Sequence, residues 1–336
     1  METLPLGFWG VALLVALAFV FDFMNGFHDA ANSIATVVST GVLKPQQAVL
    51  LAAVCNVLAV GVFHLGVAAT IGKGIVAPGV VDSQIVFGAL VGGIAWNLLT
   101  WWYGIPSSSS HALIGGIVGA TMAKAGSGPL LAPGLLKTVA FIVISPLLGF
   151  ALGALAMVGV SWAMRRSSPL RADNLFRRLQ LVSAGLYSLG HGGNDAQKTI
   201  GIIWLLLISA GYSAASDPMP PTWVIGCCYL AMGLGTMFGG WRIVKTMGQR
   251  ITRLRPVGGF CAEAGGAATL FLASALGVPV STTHTITGAI YGVGSVRNPS
   301  AVRWGLAGNI ALAWGLTIPA TAAIGALFYG LARLLS

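Results

Sequence analysis

Two polar motifs each occur twice in this chain, and every copy sits inside sequence too apolar to face water. Asn25-Gly-Phe-His28-Asp29-Ala-Ala-Asn32-Ser-Ile34 returns as His191-Gly-Gly-Asn194-Asp195-Ala-Gln-Lys198-Thr-Ile200. Gly104-Ile-Pro106-Ser-Ser-Ser-Ser-His111 returns as Gly277-Val-Pro279-Val-Ser-Thr-Thr-His284. Asp29 to Asp195 is a step of 166 residues and His111 to His284 one of 173. Nearly equal offsets mean one folding plan used twice, so the fold must let both copies bury carboxylates, amides and hydroxyls together.

Composition decides the solvent. Hydrophobic residues make up 56% of the chain and charged residues 8%, against roughly a quarter charged in soluble domains. Apolar stretches at 47–72, 84–103, 135–164, 222–240, 257–276 and 304–332 each approach or exceed the roughly 20 residues that a helix needs to cross hydrocarbon. The alternation of a β-barrel is absent. The predicted class is therefore an all-α, polytopic membrane protein of about 10–12 transmembrane elements, some broken or re-entrant. The run Leu4–Phe23 has no basic leader and no polar cleavage site, which predicts a retained helix rather than a signal peptide.

Taken as five elements each, the two units are predicted at 1–164 and 181–336, joined by the basic connector 165–180. An odd number of crossings per unit inverts the second copy relative to the first. With both termini outside, Lys44, the clusters Arg165–Arg178 and Arg242–Arg255, Arg297 and Arg303 all fall on the cytoplasmic side. These are 13 of the 18 basic residues, the asymmetry expected of cytoplasmic loops beside anionic lipid. The net charge of +10 is thus a membrane signature. No aromatic-interleaved basic module accompanies it, so nucleic acid is not an expected partner. Cys55, Cys227, Cys228 and Cys261 lack metal or redox spacing and read as small packing residues. Gly115-xxx-Gly119, Gly149-xxx-Gly153 and Gly288-xxx-Gly292 are candidate helix contacts.

Of the eight acidic residues, Asp22, Asp29, Asp195 and Glu263 fall within predicted membrane elements. A carboxylate there costs about 2.5–3.5 kcal/mol on insertion scales unless something compensates. Asp29 and Asp195 are equivalent in the repeat, whereas Asp22 and Glu263 have no counterpart. Asn25-Gly26 and His191-Gly192-Gly193-Asn194 are predicted to unwind the helix before each aspartate, freeing backbone groups for a pocket. In the second motif a proline ends one segment and the following hydroxyl residues begin the next helix. Backbone N–H groups and hydroxyls there point the same way, a neutral cradle for a tetrahedral oxyanion. His28, His111, His191 and His284 show no HExxH-type spacing and no nucleophile elbow, so neither a metal site nor an enzyme is predicted, and no cofactor motif is present. The histidines are left as accessory groups that orient the hydroxyl turns, donate to an anion or shuttle protons.

At these residues the chain resembles the inorganic phosphate transporter (Pit) family, with four motif copies in the right order over nearly its whole length. The resemblance implies a core of inverted repeats, commonly in a homodimer, that takes up phosphate on a cation gradient. The family's anion site would fall on Ser108, Ser109, Ser110, Ser281, Thr282 and Thr283, with Asn32 and Asn194 beside it and Asp29 and Asp195 for the coupling cation. Lys198 stands where the first copy has Asn32, a departure from sodium-driven members. It is similar to the bacterial low-affinity, proton-coupled branch of the inner membrane, some of whose relatives carry a neutral metal–phosphate complex. Sulfate or another oxyanion, and sodium as the coupling ion, remain the alternatives for the same fold.

Overall fold

Backbone amides in hydrocarbon have no water to bond, so apolar runs of this length close their hydrogen bonds within helices. The computed structural model describes residues 7–77 and 79–335, and 81% of these residues are helical. The helices are α1 Phe8–Ser39, α2 Pro45–Leu58, α3 Gly66–Gly74, α4 Ser83–Tyr103, α5 Ser109–Ala125 and α6 Ala132–Ala163. They continue as α7 Pro169–Ser209, α8 Thr222–Phe238, α9 Trp241–Lys245, α10 Pro256–Ala275, α11 Thr282–Arg297 and α12 Trp304–Leu335. Five of them are long and apolar enough to cross a membrane, seven spans if each of two bent pairs counts as one. Helix α7 has 41 residues, and its polar stripe keeps it out of that count.

The protein is apolar outside and polar inside. Helices α6 and α12 bury only 22% of their apolar windows, and α6 turns Leu136, Val139, Val143, Leu147, Leu155 and Trp162 outward. Asp29, Lys198, Glu263 and the four motif histidines are all buried. All three GxxxG stretches lie at helix contacts. A Cβ on Gly119 would sit 1.9 Å from the Ala322 carbonyl of α12, and one on Gly288 would sit 2.1 Å from the Pro146 carbonyl of α6. Helix α5 thus packs against α12, and α11 against α6, so each hydroxyl-motif helix is held by the closing helix of the other half.

The predicted unwinding before each aspartate does not occur, because α1 and α7 run unbroken through Asn25-Gly26 and through His191–Asn194. The glycines serve close approach instead. A Cβ on Gly26 would meet the Met232 carbonyl at 2.1 Å, one on Gly192 would meet Asn56 at 2.6 Å, and one on Gly193 would meet the Phe63 ring at 2.1 Å. The breaks lie elsewhere, where α2 with its 3-10 extension turns by 78° into α3 and where α8 turns by 60° into α9 at Gly239-Gly240. The first of these bends divides the stretch 47–72 that reads as one span. The connector 165–180 is also mostly helix. Ser168 caps α7, Pro169 begins it, and by Gln180 the chain is buried. Of the apolar run Leu4–Phe23, the first three residues lie outside the described ones and the remainder from Phe8 is α1.

Candidate functional site

The two hydroxyl turns are built alike. Gly104 (φ 65°) and Gly277 (φ 62°) take the left-handed conformation that ends the preceding helix, where a side chain would be strained. Ser108 then accepts a hydrogen bond from the His111 amide at 3.2 Å, and Ser281 from the His284 amide at 3.1 Å. These two serines act as N-caps. Capping leaves the next residues, Ser109-Ser110 and Thr282-Thr283, to present their hydroxyls from the first helical turn.

Helices α1 and α7 bring the first motif to these turns. Asn32 donates to Thr282 at 3.2 Å and to Thr283 at 2.9 Å. Thr282 in turn donates to Asp195 at 3.1 Å and Thr283 to Asp29 at 3.4 Å, so the α11 turn lies between the two repeated carboxylates. On the facing side Lys198 binds Asp195 and the Ser110 hydroxyl, and donates to the Val280 carbonyl at 2.7 Å. The whole group is closed to solvent, with Asn32, Asp29, Ser109, Ser110, Thr282 and Thr283 each no more than 3% exposed. Among the described residues the Ser109 hydroxyl, the Ser33 hydroxyl and the Asn32 side-chain carbonyl have no partner. Unpaired buried polar atoms of this kind are costly, and they mark where a ligand or water can bond.

The histidines fall into two pairs of different use. His28 reaches Asp29 at 2.7 Å and Thr100 at 2.9 Å. His191 lies 3.4 Å from Asp195 and 3.1 Å from the Asn56 side-chain oxygen. His111 and His284 instead meet each other behind the hydroxyl turns, with ring centroids 4.9 Å apart, and His284 stacks on Trp314 at 3.8 Å. Neither nitrogen of His111 has a hydrogen-bond partner among the described residues.

Three expected groups stand apart from this centre. Asn194 spends its amide on Ser274 and the Val278 carbonyl and its oxygen on the Val280 amide, so it shapes the turn before α11. Asp22 accepts from Thr199 at 2.8 Å. Glu263 gathers Thr36, Gln180 and Ser183, joining α1, α7 and α10.

Some residues escape the motif reading. Tyr187 donates to the Thr282 carbonyl at 2.9 Å and steadies the turn from below. Its signal was the stripe Gln180, Tyr187, His191, Asn194, Lys198 on α7, with Asn25, Asp29, Asn32 and Thr36 on α1, both at helical spacing. Donor atoms of Asp29, His191 and Asp195 lie within 4.8 Å of one another, a set that can hold a cation. The sequence predicts no metal site, because Asp29 and Asp195 stand 166 residues apart on different helices. Only His191 and Asp195 have a readable spacing, one turn of α7.

Comparison with known proteins points the same way as this geometry. The model of the phosphate transporter family matches residues 25–325. A Rhizobium meliloti (strain 1021) protein named "Probable low-affinity inorganic phosphate transporter" is 60% identical over 323 residues, which cover 96% of each chain. A Bacillus subtilis (strain 168) protein of the same name is 46% identical, over 94% of this chain and 95% of its own. A solved structure titled "The sodium-dependent phosphate transporter" superposes with a TM-score of 0.87 at 25% identity, over 98% of this chain and 100% of the other.

Proposed function

The chain belongs to the phosphate transporter family, a family of transporters rather than enzymes, and from that premise we propose that it imports inorganic phosphate by proton symport. The observation that carries this reading is the α11 turn held between both repeated aspartates, with Asn32 of the first half bonded to both of its threonines. A phosphate oxygen would take the acceptor role that Asp29 and Asp195 now fill toward Thr283 and Thr282. Ser109, whose hydroxyl is unpaired, and Lys198 would close on the anion from the other turn. Phosphate can donate a hydrogen bond to a carboxylate and sulfate at neutral pH cannot, which favours phosphate over sulfate at a site with two carboxylates.

Protons are favoured as the coupling ion by Lys198. Its ammonium already occupies the position beside Asp195 where a sodium ion would be attracted, and protonating a carboxylate is then the simplest way to neutralise the loaded site. A neutral site is cheaper to reorient across the bilayer. The cation set of Asp29, His191 and Asp195 supports sodium as the second reading. A neutral metal–phosphate complex would suit the same chamber, its metal facing that set. Reorientation would be a rocking of two inverted repeats, 1–164 and 181–336, about the closed centre. In this reading the protein lies in a bacterial inner membrane as a homodimer, with both termini outside.

The test is radiolabelled phosphate uptake into proteoliposomes under separately imposed pH and sodium gradients. Uphill uptake on the pH gradient alone is expected, and uphill uptake on sodium alone would replace the proton reading with the sodium one. Flux that never runs uphill would leave a passive pore. Lys198→Asn, which copies the first half's Asn32 into the second, is expected to weaken proton dependence and introduce sodium dependence. An unchanged response to both gradients would remove Lys198 from coupling.

A further inference from the structure

Helix α11 has its hydroxyl turn at one end and a second basic environment at the other. Its 16 residues span about 24 Å. Beyond its last turn lies a cavity of about 430 Å³ with Arg250, Arg253, Arg297 and Arg303 around it, Asn298 beside them and buried Thr252 in its lining. Arg255 stands near enough to Arg297 for the two charges to repel. No carboxylate lines the cavity. Among the described residues none of these five arginine side chains makes an ion pair or hydrogen bond, and the Thr252 hydroxyl has no partner.

Arginine in a cytoplasmic loop needs no special account. Convergence of unpaired arginines from two separate loops on one concavity does, because each added charge raises the repulsion the others feel. The cavity falls in the range of about 300–1,000 Å³ typical of small-molecule sites. Its donors are planar guanidinium forks, which match phosphate oxygens two at a time, together with a hydroxyl and an amide. Carboxylate ligands would use the forks equally, but several arginines around one space suit a group with more than one negative charge.

We infer that this cavity is a second anion site, separate from the candidate transport site, for a multiply charged phosphoryl group. Two sources share that chemistry: the headgroup of an anionic phospholipid at the membrane surface, and a soluble oligophosphate.

The experiment uses the full chain in two arms. In the first, protein in phosphatidylcholine nanodiscs is titrated with tripolyphosphate by isothermal calorimetry. In the second, protein in nanodiscs of mixed phosphatidylcholine and cardiolipin is released, and the lipid it retains is measured by mass spectrometry. Binding in the first arm assigns a soluble ligand, and retention in the second alone assigns a lipid headgroup. In either case Arg253→Gln/Arg297→Gln should weaken binding at least tenfold. Arg253→Lys/Arg297→Lys, which keeps charge and loses the fork, should fall between. Ser109→Ala/Thr282→Ala at the transport site, and Arg171→Gln/Arg178→Gln on the basic first turns of α7, should bind like the native chain. The inference is overturned if neither ligand binds, if the Arg253/Arg297 variants bind normally, or if either control pair loses binding equally. Failure of phosphate uptake in the liposome assay would leave this result untouched, since the two sites are read separately.

Discussion

The two copies of the first motif place an aspartate at the same centre but secure it differently. Asp29 is held by the ring of its neighbour His28, whereas Asp195 is held by the Lys198 side chain. The hydroxyl turns differ in a complementary way. Ser109 has no partner among the described residues and Ser110 leans on Lys198 of α7, while Thr282 is engaged by groups of α1 and α7 and Thr283 by two groups of α1. The repeated motifs therefore share positions and differ in role. One half supplies an internal cation, and the other leaves a free hydroxyl.

The largest expected effect follows from that division. Asp195→Asn leaves Lys198 charged and unpaired in a buried site, which is expected to cost about 3–5 kcal/mol of stability. Asp29→Asn leaves His28 still bonded to Thr100 and should cost clearly less. Both should abolish gradient-driven uptake. Thermal unfolding of the purified variants in detergent compares them, and Asp195→Asn/Lys198→Met should recover stability without recovering transport. Equal destabilisation by the two single variants would mean that the difference between the halves is only apparent.

A second comparison concerns the glycines. If Gly192 marked a flexible break, alanine there would be harmless. Because its Cβ would run into Asn56, Gly192→Ala should instead destabilise by about 1–3 kcal/mol. Gly226→Ala, on a helix face with nothing within 4 Å, should change stability by less than about 0.5 kcal/mol. The same unfolding assay decides between them.

A third pair of variants sharpens the contrast between the two turns. Thr282→Val removes a hydroxyl already bonded to Asp195 and leaves that oxygen short of a donor, whereas Ser109→Ala removes one with no protein partner. Loss of one donor to a bound anion is worth about 1.5–3 kcal/mol, or roughly a tenfold or larger rise in the half-saturating phosphate concentration. Both variants should show it in uptake assays, but only Thr282→Val should also lower the unfolding temperature.

Much of this arrangement is legible in the amino-acid sequence. A charged fraction of 8% leaves no soluble alternative, and the repeated Pro-x-Ser-x-x-His turn permits few local structures, so the class, the helix starts and the glycine contacts followed from local chemistry. What could not be read depended on partners distant in sequence. Gly26 and Gly192 look like breakers in isolation, and only Met232 and Asn56 passing close by make them packing residues. The bend at Gly239-Gly240 carries an equally good local signal, at the end of the apolar run 222–240. Asn194 likewise reads as a ligand beside Asp195. It faces the backbone before α11 because the helical step from 194 to 195 turns the two side chains about 100° apart.

The central claim is that both halves hold one phosphate between their hydroxyl turns, and a structure of the protein with phosphate bound tests it most directly. The account predicts an anion within hydrogen-bonding distance of Ser109 or Ser110 from one half and of Thr282 or Thr283 from the other, with Asn32 and Lys198 alongside. Phosphate bound by a single turn, or held away from both aspartates, would contradict it.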